Sequence, residues 1–173
     1  GEIARGTVYH DANRNGQRDS AEVGIAGVRV SNGVDIVATD ADGRYEISVD
    51  DDAIVFVIKP RDWMTPVDDR NLPKFYYVHK PGGSPDDNFV YAGVAPTGPL
   101  PDAIDFPLVG SSGEKEFQAI VMGDPQPYSM TEVRYYANDV IAELVGTDAK
   151  FLIALGDLVG DDLSLFEPLN RVH

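Results

Sequence analysis

The chain has 173 residues, 14 basic against 29 acidic side chains, a formal charge of −15, and no cysteine. That charge disfavours nucleic acid or an anionic membrane surface as partner, and the missing thiols exclude disulfides, zinc ribbons and cysteine nucleophiles. No apolar run nears the ~20 residues that span a bilayer and no signal-peptide core is present; since the sequence starts at Gly1, the expectation is a removed export signal and a periplasmic or extracellular location.

Composition shifts along the chain. Residues 1–110 are β-branched and rich in Gly, Asp and Pro without a helical period, whereas residues 111–173 alternate strand and helix patterns. The expected fold class is mainly β: an Ig-like or prealbumin-like sandwich over 1–110, followed by the first βαβ unit of an incomplete α/β domain. Thr7–Tyr9, Val28–Ser31, Ile36–Thr39, Tyr45–Val49 and Ile54–Ile58 read as strands, with hairpin signals at Ser31-Asn32-Gly33 and Ala41-Asp42-Gly43. Asp105–Val109 can return as a closing strand. The acidic blocks Asp50-Asp51-Asp52 and Asp68-Asp69 read as solvated loop faces.

Between the first two strands, Asp11 to Glu22 satisfies a twelve-residue calcium-loop pattern. Asp11, Asn13 and Asn15 supply side-chain oxygens, Gly16 permits the sharp turn, Gln17 offers its carbonyl, Asp19 stands ninth and Glu22 closes bidentately. A hard cation needs six to eight oxygens converging from one tight loop, which this spacing provides. The flanks are strands, so the loop is not part of an EF-hand pair. An Asx-rich turn without a cation uses the same residue types, but it has no need of a carboxylate at the twelfth position. Two asparagines and two nearby arginines dilute the charge, so affinity on the order of 10⁻⁴ M and a structural role are expected.

The segment Gly6–Val49 resembles the calcium-binding B-type repeats of bacterial surface adhesins and related prealbumin-like modules. The resemblance rests on Thr7-Val8-Tyr9, the loop, Gly24-Ile25-Ala26-Gly27-Val28-Arg29-Val30 and Thr39-Asp40-Ala41-Asp42-Gly43-Arg44-Tyr45. Pro60 to Pro101 reads as a long irregular excursion. Its aromatics Trp63, Phe75, Tyr76, Tyr77, Phe89 and Tyr91 are expected to anchor it to the sandwich, since a disordered linker lacks such residues. His79 reads as a surface or packing residue because no ligand partner lies near it in sequence, and His10 and His173 read the same way.

Phe117–Met122 and Phe151–Leu155 are apolar runs of buried parallel-strand type. Between them Val133, Tyr136, Ala137, Val140, Ile141, Leu144 and Val145 recur at helical spacing, capped by Ser129 or Thr131 and ended by Gly146. A right-handed crossover makes the strands parallel and adjacent. Asp124 and Asp157 then emerge at one sheet edge, where open α/β sheets place ligands. Strands ~4.8 Å apart let two carboxylates share a divalent cation; equally, Asp157 can cap its loop and Asp124 can open a turn with Pro125.

Gly123-Asp124-Pro125-Gln126, followed by Gly156-Asp157-Leu158-Val159-Gly160-Asp161-Asp162, resembles the first two ligand motifs of the calcineurin-like metallophosphoesterases. Phe75–Pro85, together with the β region, resembles the N-terminal domain of a bacterial branch of that superfamily. The resemblance implies a two-metal phosphoesterase using Mn, Fe, Zn or Mg, with Asp124 on the first metal, Asp157 bridging both, and Gln126 replacing the usual histidine by a harder, weaker carbonyl ligand. Gly160 stands where an acidic residue is often found, leaving Asp161 and Asp162 as outer candidates.

The later Asn-His and histidine motifs of that superfamily are absent, so the chain holds no complete catalytic set and is expected to be inactive alone. Its partner would be a phosphoester substrate of the full-length protein, with the remainder of that protein or another copy covering the exposed face of the βαβ unit. The alternative is a calcium-stabilised cell-surface binding or adhesin-type module, which has no need of a βαβ unit ending in Gly-Asp.

Overall fold

The structure, a computed structural model, describes residues 1–172 and is mainly β; His173 lies outside the described residues. It divides into two compact units, Gly1–Gly113 and Glu114–His173. None of the described helices is long and apolar enough to cross a membrane.

The first unit contains β1 (Glu2–His10), β2 (Arg29–Ser31), β3 (Ile36–Ala38), β4 (Arg44–Val49), β5 (Ala53–Ile58), β6 (Trp63–Met64), β7 (Tyr76–His79) and β8 (Phe106–Gly110). They form two four-stranded sheets in the orders β4-β1-β8-β6 and β3-β2-β5-β7. Period-two alternation decides the inward faces. Tyr45, Ile47 and Val49 of β4 turn inward with Ala4 and Val8 of β1, and meet Val30, Val55 and Val57 of the other sheet in one core cluster. Burying such rows at ~25 cal/mol per Å² of apolar area is what holds two sheets face to face. The strands expected from the sequence form, including the closing strand, which runs parallel to β1 with Val8 opposite Phe106.

Three contacts lead the chain into β8. Ile104 N–H donates to the Arg5 carbonyl, the Tyr45 hydroxyl donates to the Ile104 carbonyl, and Thr7 N–H donates to Asp105 Oδ1, each at 2.7 Å. The approach is so close that a β-carbon on Gly6 would stand 1.8 Å from the Ile104 oxygen. Only glycine fits there.

The middle stretch is more ordered than its Pro and Gly content suggests. It contributes β6 and β7, and β7 pairs with β5 from Ala53 opposite His79 to Phe56 opposite Tyr76. Trp63, Phe75 and Tyr77 pack on the core as expected. Tyr76, Phe89 and Tyr91 are exposed, which corrects the anchoring role expected of them: Tyr76 falls on the outward side of its strand, and Phe89 and Tyr91 lie outside any strand or helix.

The second unit contains β9 (Gln118–Met122), α1 (Met130–Tyr136), a π-helical turn (Ala137–Ile141), α2 (Ala142–Leu144), β10 (Ala149–Ala154), a 3-10 turn (Leu163–Leu165) and α3 (Phe166–Asn170). The Ser129 hydroxyl accepts from Glu132 N–H while the Glu132 carboxylate accepts from Tyr128 N–H, a reciprocal cap on α1. β9 and β10 are parallel and adjacent, with Ile120 opposite Leu152 and Met122 opposite Ala154. Met122 and Leu152 pack against Val133, Tyr136, Ile141, Leu165 and Leu169.

Two expectations are corrected here. The strands are buried on one face only, since Phe117, Val121, Phe151, Ile153 and Leu155 are exposed. Val140 and Val145 are exposed as well, because the π turn inserts one residue into the helical period. The buried residue after Tyr136 is therefore Ile141, five positions on, rather than Val140 at four.

Candidate functional site

The twelve-residue loop leaves β1 through Asp11, which is 1% exposed. Its two carboxylate oxygens accept the N–H groups of Asn15 at 3.1 Å and Gly16 at 2.9 Å. Glu22 reaches back from the far end, where Oε1 accepts Ala12 N–H at 2.9 Å and Oε2 accepts Asp19 N–H at 3.1 Å. First and twelfth residues thus close the loop on itself. Asn13 and Asn15 accept backbone N–H groups from Asn15 and Gln17 through Oδ1, in Asx turns, and donate through Nδ2 to Asp19 Oδ2 at 2.6 and 3.1 Å.

The donor set is hard oxygen throughout, and each amide oxygen keeps a second lone pair after its Asx bond. The two amide groups on Asp19 offset its charge, a role a cation would take over. The electrostatics of the cluster register on Tyr9. Burial first, then the charges of Asp11, Glu22, Asp105 and Asp19, pushes its phenol up from 10.0 to about 12. Burial and Asp105 likewise raise Tyr45. Asp68 has a depressed pKa because its carboxylate accepts the N–H groups of Leu72 and Arg70.

In the second unit, Asp124 follows β9 and Asp157 follows β10, at the carboxyl ends of adjacent parallel strands. Gln126 N–H donates to the Asp157 carbonyl at 3.0 Å, and Gly160 N–H donates to the Pro127 carbonyl at 3.0 Å, so the two loops are stitched together. Asp124 and Asp157 are exposed and Gln126 is half-buried. All three have left-handed backbones, with φ of 52°, 43° and 33° for Asp124, Asp157 and Gln126. Such conformations are uncommon outside glycine and concentrate at functional sites.

The motif's departures have local causes. Gly160 lies against Tyr128, and a β-carbon there would meet the ring at 2.5 Å. An acidic side chain there would force the exposed Tyr128 ring to move. Asp162 caps the 3-10 turn by accepting Ser164 N–H at 2.9 Å, a structural task.

A third group was not legible in the sequence. His79 is fully buried at 0% exposure, and the fold gathers it with Glu2 and Asp51, their ligand-type atoms all within 4.8 Å of one another. Residues 2, 51 and 79 are too far apart for any spacing motif, and only strand pairing reveals them. His10, by contrast, packs edge-on against Trp63 with ring centroids 5.1 Å apart.

Comparison with the curated proteins finds no match. Residues 12–93, most of the β unit, match the family model described as the N terminal of calcineurin-like phosphoesterase. The β unit of this chain is thus similar to the N-terminal regions of calcineurin-like phosphoesterases.

Proposed function

We propose that the chain is the N-terminal part of a metal-dependent phosphoesterase, with a calcium-stabilised β domain preceding the first βαβ of the catalytic domain. The observation that carries this reading is the family match over residues 12–93 combined with Asp124, Gln126 and Asp157 held left-handed at one sheet edge. Two carboxylates and an amide carbonyl suit a hard divalent cation. Asp124 and Gln126 would hold one cation and Asp157 would bridge to a second, whose remaining ligands would come from elsewhere in the full-length protein. A divalent metal pair supplies Lewis-acid stabilisation of phosphoryl charge and activation of water.

This chain's own contribution is positioning. The Gln126–Asp157 backbone bond fixes the two loops in register, so a phosphoester would meet carboxylates that need little reorganisation. The exposed outer face of β9 and β10 suits further strands or helices of the same catalytic domain. Alone, the chain is proposed to be inactive. The twelve-residue spacing of Asp11, Asp19 and Glu22 supports calcium as the loop's ligand, and weak affinity of that kind suits a periplasmic or extracellular setting.

The test uses the natural protein that contains this chain, assayed on generic phosphomonoesters and phosphodiesters with and without Mn²⁺ or Mg²⁺. Hydrolysis should require the metal and fall sharply in Asp157→Asn. Metal-independent activity that Asp157→Asn leaves unchanged would refute the bridging role.

A further inference from the structure

We propose that Glu2, Asp51 and His79 form a binding site for a borderline divalent transition cation of the zinc class, in the β unit and separate from both oxygen-donor sites. Glu2 opens β1 in one sheet, and His79 closes β7 in the other. Asp51 lies in the turn that carries the chain from β4 to β5, from the first sheet to the second. A cation held by all three therefore clamps the two sheets at one end of the sandwich.

The buried imidazole is the observation that points to a ligand. His79 has no exposure, and neither Nδ1 nor Nε2 has a hydrogen-bond partner. A neutral imidazole carries one donor and one acceptor, and burying both without partners is unfavourable. Glu2 Oε2 stands 3.5 Å from Nε2 but outside hydrogen-bond geometry. Ring nitrogen lone pairs are satisfied equally well by a metal, and imidazole selects zinc-class cations over calcium or magnesium.

The carboxylates are disposed to complete such a site. Asp52 is engaged by Lys80 at 2.6 Å, whereas among the described residues no lysine or arginine pairs with Asp51 or Glu2. Ligand atoms ~2.1 Å from one cation stand at most ~4.2 Å apart. The present 4.8 Å limit closes to that by rotation of two exposed side chains, while the buried imidazole stays in place. One nitrogen and two carboxylate oxygens leave a fourth position for water.

The experiment strips the protein of metal with chelator and titrates it with Zn²⁺ in millimolar Ca²⁺ and Mg²⁺, which occupy oxygen-only sites. Calorimetry gives stoichiometry, and long-range ¹H–¹⁵N correlation follows the His79 ring. One equivalent should bind with a shift of the His79 ring resonances. Glu2→Gln and Asp51→Asn should each weaken it at least tenfold, because loss of an outer-shell partner alone typically weakens metal sites ~10–100-fold. Both side chains are exposed, so these variants fold, whereas His79→Gln tests the ring only if its spectrum stays dispersed. Zinc binding unchanged in both carboxylate variants would overturn the site. So would His79 ring resonances that do not move at saturating Zn²⁺, or a ring already doubly protonated at neutral pH and paired with Glu2.

Discussion

Glu22→Gln isolates the cation's contribution to the β unit from that of the loop's own hydrogen bonds. Glu22 is half-buried, and a glutamine can still accept one of the two N–H groups, from Ala12 and Asp19, that the carboxylate accepts now. What it loses is the charge and the bidentate closure. With a dissociation constant on the order of 10⁻⁴ M, 10 mM Ca²⁺ is ~100-fold above it and stabilises the native state by about 2.7 kcal/mol. Weakening the site tenfold leaves about 1.4 kcal/mol by the same relation. For a unit of 113 residues, each kcal/mol moves the midpoint by roughly 4 °C. Calcium should therefore raise Tm by about 11 °C in the wild type and by about half that in the variant. Trp63 is the single tryptophan and packs on the β core, so its fluorescence during heating reports this unit. Equal calcium-induced shifts in both proteins, or none in the wild type, would show that the loop is an Asx-rich turn and no more.

Two further outcomes follow from the core. Tyr45→Phe keeps the ring beside Phe106 but leaves the Ile104 carbonyl without the hydroxyl at 2.7 Å; a loss of about 1–2 kcal/mol in urea unfolding is expected, and no loss would mean water replaces the bond. Tyr9 supplies a pH dependence. Its native pKa of about 12 lies above the ordinary 10.0, so the neutral phenol contributes stability that is complete below pH ~10 and is lost as pH rises through ~12, by about 3 kcal/mol. Tyr9→Phe should flatten that part of the alkaline unfolding profile. Calcium, by offsetting Asp11, Glu22 and Asp19, should draw the Tyr9 titration at 295 nm toward lower pH; an identical decline in Tyr9→Phe sinks both statements.

Local pattern carried much of the fold because alternation and turn chemistry act within a few residues. β4 shows it plainly: Tyr45, Ile47 and Val49 face inward one by one. What escaped were features set by distant parts of the chain. β6 has two residues and exists only because Trp63 and Met64 find Gly110 and Val109 of β8. β7 lies in a Pro- and Gly-rich stretch and owes its pairing to β5. The π turn inserts a residue that no periodicity count foresees, so of Val140 and Ile141, both expected on the inner face, only Ile141 is buried. The site divides along the same line. The calcium-type loop is contiguous and its spacing was readable, as were Asp124 and Asp157 behind their apolar runs. The cluster around His79 joins three separated segments, and a lone histidine gave no sign of it.

The backbone at Asp157 offers a test that separates functional from structural retention without any activity measurement. A left-handed conformation costs an L-residue about 1–2 kcal/mol through its β-carbon, and Asp157 has φ 43° directly after Gly156 at φ 121°. Replacing it with glycine removes that strain and adds about 0.5–1 kcal/mol of unfolded-state entropy cost. Asp157→Gly should therefore range from neutral to about 1.5 kcal/mol stabilising. Asp162 is the internal contrast: five residues on, it caps the 3-10 turn through Ser164 N–H, and Asp162→Ala should cost about 0.5–2 kcal/mol. Amide exchange in α1 resolves the second unit from the first, which Trp63 fluorescence cannot do. A destabilisation above ~1 kcal/mol in Asp157→Gly would show that the carboxylate serves the fold, since a residue kept only for packing has no reason to hold a strained backbone. If the glycine variant is as stable as the wild type, the strain at Asp157 persists for what its side chain binds, and the same argument extends to Asp124 and to Gln126, whose φ of 33° is farther still from any conformation glutamine prefers.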